Sequence, residues 1–87
     1  MKGRTIMNMD RVKIVLNMID DIKNFVYEAS QVSFSNQIDL VSGKYRVSAT
    51  SLMGVLSLDT SEPITMEFPK IFKKIIMNRF GKWIIKE

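Results

Sequence analysis

Eighty-seven residues, 46% apolar and 25% charged, suffice for one small domain with a single core and are too apolar for a wholly disordered chain. The absence of cysteine and histidine excludes disulfides, thiolate chemistry and any imidazole acting as metal ligand or acid–base group. The net charge of +4 is uneven: residues 1–67 sum to −1, whereas Lys70, Lys73, Lys74, Arg79, Lys82 and Lys86 against Glu87 give 68–87 a sum of +5. General attraction to nucleic acid is therefore not expected of the bulk of the chain. The opening MKGRTIMNMD has no secretory h-region, and no run approaches the roughly 18 apolar residues of a membrane span, so a cytoplasmic location is expected.

In chain order, RVKIVLN (11–17) alternates Val12, Ile14 and Leu16 as a half-buried strand does, and Asn17 stands where a helix cap would follow. Ile19, Ile22, Phe25, Val26 and Ala29 then recur at helical spacing, with Asp20 and Asp21 in the first turn, where the helix dipole favours them. SFSNQ (33–37) reads as a loop. QIDLVSGKYRV reads as a hairpin with Ile38, Leu40, Tyr45 and Val47 in its strands and Ser42-Gly43 at the turn. SLMGVLS (51–57) follows Thr50 and predicts a short helix capped by the Ser51 hydroxyl. DTSEP (59–63) is a loop, and ITMEF (64–68) alternates as a strand. Pro69 suits a first helical turn; Ile71, Phe72, Ile75, Ile76 and Phe80 share the apolar face that follows, with Arg79 near its middle and Gly81 as a stop. KWIIKE carries no clear assignment. The order β-α-β-β-α-β-α predicts an α+β fold with one antiparallel sheet and helices on one face.

Three quoted pieces, FVYEAS (25–30), IDLVSGKYRVSATS and SLMGVLSL, resemble the histidine-containing phosphocarrier (HPr) family of the bacterial sugar phosphotransferase system, over roughly residues 11–68. The last piece is similar to the SIMGVMSLG form of Gram-positive members. The resemblance implies an HPr-like open-faced β-sandwich with a four-stranded antiparallel sheet. It frames 1–87 as a single domain, with 1–10 as an N-terminal extension and 69–87 as an atypical basic C-terminal helix or tail. The loop before Ile38 is about two residues longer than in the family.

The family carries phosphate on a histidine in a G-[IL]-H-x-R-P-A segment opening its first helix. Here Met18 falls at the histidine position, Asp20 at the arginine and Asp21 at the proline. Methionine accepts no phosphoryl group, and the carboxylates would repel one. Phosphohistidine transfer is thus not expected, nor any enzyme activity, small-molecule substrate, cofactor or metal. Gram-positive members have a second site, a serine phosphorylated by the ATP-dependent HPr kinase. Ser51 falls on it, followed by Leu52, Met53 and Gly54 as in the family, although Thr50 replaces the usual lysine before it. A histidine-less variant of the family, Crh, keeps the serine and acts as corepressor of the catabolite control protein.

Each of these residues also has a plainer reading. Ser51 serves as a helix cap whether or not it is modified. Leu52, Met53 and Leu56 are either core or, as the resemblance implies, an exposed partner-binding patch. Met18 is either packing or a partly exposed remnant of the lost site. The basic C-terminus has three readings: a last helix covering the sheet, an amphipathic segment with Trp83 lying on an anionic membrane or binding nucleic acid, or a terminus replaced through a shifted reading frame. The expectation is a regulatory or protein-binding role with partners of the HPr-kinase and catabolite-regulator type; a diverged paralogue without phosphorylation is the alternative.

Overall fold

The structure, a computed structural model, describes residues 8–85. The chain runs β1 (Met9–Ile14), α1 (Ile19–Gln31), β2 (Asp39–Ser42), β3 (Tyr45–Ser48), α2 (Leu52–Leu56), β4 (Ile64–Pro69) and α3 (Lys73–Arg79), with 3₁₀ turns at Ser35–Gln37, Lys70–Phe72 and Gly81–Trp83. The four strands form one antiparallel sheet in the order β1-β4-β2-β3. This is the α+β class that the element order predicts. Of the extension expected at 1–10, residues 1–7 lie outside the described residues, while Met9 and Asp10 already belong to β1.

Strand alternation divides the sheet into two faces. Val12, Met66, Leu40 and Val47 lie in register across all four strands and face the helices. Ile22, Phe25 and Ala29 of α1, Val55 of α2 and Ile76 of α3 join Ile14, Leu40, Ile64, Met66 and Phe68 in one buried cluster. The opposite face carries Arg11, Glu67 and Asp39 in register and has no helix over it. Among the described residues no helix is long and apolar enough to cross a membrane.

Several boundaries differ from the sequence expectation for local reasons. β1 ends at Ile14 rather than Asn17, because Val15 turns its N–H to the carbonyl of Trp83 (2.9 Å) and Leu16 drops fully into the core. The N-cap of α1 is Met18, in extended backbone with no side-chain hydrogen bond, so Asn17 does not cap the helix. The hairpin turn is Gly43-Lys44, one residue later than expected, since Ser42 pairs with Tyr45. Gly43 has φ +61°, a conformation open to glycine, at the first of the two loop positions. Pro69 closes β4 instead of opening a helix. It faces Met9, and the flanking bond from the Lys70 N–H to the Asn8 carbonyl (2.8 Å) marks this as a non-hydrogen-bonded pair, where a missing N–H costs nothing.

The C-terminal segment packs against the domain, though not with the expected face. Phe72, Ile76 and Phe80 stand one turn apart and set the inward line; Ile71 and Ile75 are each one residue earlier, about 100° round the helix. Ile76 and Phe80 are fully buried and Phe72 stacks on Phe34 with ring centroids 3.9 Å apart, whereas Ile71 is 80% exposed. Arg79 leaves the apolar face and binds Glu28 of α1 at 2.6 Å. The unassigned KWII stretch returns to the free edge of β1: Ile84 bridges Ile14, and the Ile85 N–H reaches the Lys13 carbonyl at 2.9 Å. Trp83 is buried against Phe25 (5.4 Å) and Phe80 (6.1 Å).

The helix-free sheet face is held by charge. Arg46 binds Glu67 at 2.7 Å and Asp39 at 3.2 Å, and Arg11 approaches Glu67 from the other side at 3.3 Å. The hydrogen bond from Arg46, aided by the charges of Arg46 and Arg11, holds the Glu67 carboxyl below its ordinary 4.5. The Arg11 N–H and then Lys73 lower Asp10 from 3.8, and Ser61 lowers Asp59. A carboxylate with a depressed folded-state pKa contributes stability above its unfolded pKa and loses it as pH falls through the folded value. Urea midpoints are therefore expected to hold from neutral pH to about 5 and to fall below about 4. A Glu67→Gln variant should fall less steeply; an identical slope would remove Glu67 from the account.

Candidate functional site

α2 is five residues long and is closed at both ends by serine hydroxyls. Ser51 has extended backbone (φ −98°, ψ 102°), and its Oγ accepts from the Gly54 N–H at 3.1 Å, so the expected cap is present. At the other end the Ser57 Oγ donates to the Gly54 carbonyl at 2.6 Å. The hydroxyls of Ser48 and Thr50 share a hydrogen bond of 2.9 Å, and the Ala49 N–H binds the Ile38 carbonyl, fixing the entry to the helix. A short helix, weak by itself, is thereby tied at its entry and at both ends.

Gly54 lies close against β3. A Cβ built there would sit 3.0 Å from the Ser51 Oγ and 3.1 Å from the Val47 Cβ. The glycine thus permits the close approach of helix to strand and leaves room for the capping hydroxyl.

Of the four large apolar residues on α2, only Val55 enters the core; Leu52 is 36%, Met53 77% and Leu56 39% exposed. The sequence left these three between core and surface, and the structure places all of them outside. Ser51 is exposed beside them. At the start of α1, Met18 and Ile19 are also exposed. Ile19 corrects an expectation, since its spacing put it on the core face, yet the buried line begins at Ile22. Ile14 pairs with Ile64, so the start of α1 and the chain leaving α2 serve the same end of the sheet. Helix spacing carried no sign that the apolar stripe would run past the core at this end.

Asp20 and Asp21 occupy the first turn of α1 and make no hydrogen bond or ion pair to a side chain among the described residues. A separate cleft of about 470 Å³ lies at the β1 edge, where Arg11, Lys13 and Lys73 surround Val12, Met77 and Ile84. It is remote in sequence from α2, and it was not foreseen because the return of the C-terminal segment to β1 creates it.

Comparison with protein-family models, with curated proteins and with solved structures returned no match.

Proposed function

We propose that this chain is a non-enzymatic, HPr-like binding protein of the phosphotransferase type that transfers no phosphohistidine. It engages a protein partner through Leu52, Met53 and Leu56, with Ser51 as a regulatory phosphorylation site and the cytoplasm as its place of action. The observation that carries this reading is the outward placement of three large apolar side chains on a helix braced at both ends. An apolar centre with a rim of serine and threonine hydroxyls has the composition of a protein-binding surface, and methionine adapts to a partner's contour. A phosphate on the exposed Ser51 hydroxyl would set nearly two negative charges at the rim of that surface, enough to favour a partner with arginines and to repel an acidic one. The absence of histidine from the chain leaves serine chemistry as the only phosphorylation the resemblance supports.

Intact-mass analysis after incubation with a Gram-positive HPr kinase and ATP should show one phosphate adduct, absent from Ser51→Ala. The alanine variant loses its cap, costing about 1 kcal/mol, so circular dichroism must confirm that it is folded. Titration against the catabolite regulator, with and without phosphate on Ser51, then tests the patch. Met53→Asp is expected to weaken binding by tenfold or more, about 1.4 kcal/mol, since it sets a charge amid the apolar contact. An unmodified parent together with no binding would leave a diverged paralogue that has lost both functions.

A further inference from the structure

The basic excess at the C-terminus takes no part in the α2 surface. Of its cations, Lys73 binds Asp10 (3.4 Å) and Arg79 binds Glu28 (2.6 Å), while Lys70, Lys74 and Lys82 have no ion-pair partner among the described residues. Lys70 and Lys74 are exposed on the outer side of the Lys70–Phe72 turn and α3, interleaved with Ile71 and Ile75. Ile71, at 80% exposure, is the most exposed large apolar side chain among the described residues, and Ile75 is 42% exposed. No acidic residue occurs between Phe68 and Ile85.

We propose that this ridge docks the protein on an anionic lipid bilayer, with Ile71 and Ile75 entering the headgroup layer and Lys70 and Lys74 reaching sideways to lipid phosphates. The sequence suggests Trp83 as the membrane anchor, but Trp83 is buried beneath Phe25 and Phe80. The apolar contact therefore falls to the isoleucines. Lysines with long apolar stems and hydrated heads, interleaved with exposed isoleucines, suit the headgroup layer of a bilayer, which has no fixed shape of its own. Charge complementarity selects anionic lipid, and the interaction weakens with salt.

The test is co-sedimentation of the full chain with vesicles of phosphatidylcholine alone or mixed with phosphatidylglycerol, at low and high salt. Binding is expected to the mixed vesicles only. Each lysine near the surface is worth about fivefold, so Lys70→Gln with Lys74→Gln should weaken it about 25-fold. Ile71→Ser should weaken it about tenfold. All three positions are exposed, so the variants should melt with the parent. Met53→Asp is expected to sediment as the parent does, which separates this surface from α2. Sedimentation with neither vesicle would overturn the proposal and leave the ridge to an acidic protein; binding that ignores the lysine changes would overturn it as well.

Discussion

Trp83→Ala is expected to destabilise the fold by about 3–5 kcal/mol, the range for removing a large buried aromatic side chain. For a domain this small that is a large fraction of all the stability available. Trp83 is 6% exposed and meets the rings of Phe25 at 5.4 Å and Phe80 at 6.1 Å, while its carbonyl accepts from Val15. Removing the indole leaves a cavity against Phe25 and loosens the segment whose Ile84 bridges β1. Urea unfolding followed by far-ultraviolet circular dichroism measures the loss, and Trp83→Phe, which retains most of the volume, should cost far less. An unchanged midpoint for the alanine variant would mean that the C-terminal segment is not part of the core. The same packing governs how the basic segment can be tested. Truncation after Phe68 would remove Ile76, Phe80, Trp83 and Ile84 together, all buried, and would report unfolding rather than lost charge.

What could be read from the sequence depended on how local each cause was. The strand alternation of 64–68, the helical line Ile22, Phe25 and Ala29, and the need for glycine at position 43 are each decided within a few residues, and each was legible. The cap at Ser51 was legible for the same reason. KWII was not, because its extended pairing with β1 depends on a strand about seventy positions earlier and leaves no period in its own residues. The network of Arg46, Glu67, Asp39 and Arg11 depends on register across three strand pairings, which no single segment specifies. The exposure of Leu52, Met53 and Leu56 lies between these cases. Five helical residues show barely more than one turn, too few for periodicity to mark an inward face; the burial of Val55 and the close approach of Gly54 to Val47 fix which side of α2 meets the sheet.

That contact makes Gly54→Val the sharpest probe of the α2 surface. Its Cβ would lie 3.0 Å from the Ser51 Oγ, 3.1 Å from the Val47 Cβ and 3.3 Å from the Ser51 Cβ, and the branched methyls need further room. Val47 is anchored in β3, paired with Leu40, and cannot yield without moving the strand. The Ser51 hydroxyl can rotate away, but only by giving up its bond to the Gly54 N–H. Over-packing costs about 1–3 kcal/mol and the lost cap about 1, offset by a few tenths from replacing glycine in a helix. The expected net loss is about 2–3 kcal/mol, read from the tryptophan-monitored urea midpoint. Ser51→Ala removes the cap alone and should cost about half as much. The functional consequence separates the two further. Ser51→Ala retains the outward set of Leu52, Met53 and Leu56, so a partner that reads only the apolar patch should still bind it. Gly54→Val lifts α2 from the strand and tilts all three residues, so the same partner should lose most of its affinity although every contact residue is still present. Equal binding by both variants would show that the patch is read without regard to its mounting on β3. A Gly54→Val midpoint equal to that of the parent would show that α2 is not held against the strand at all.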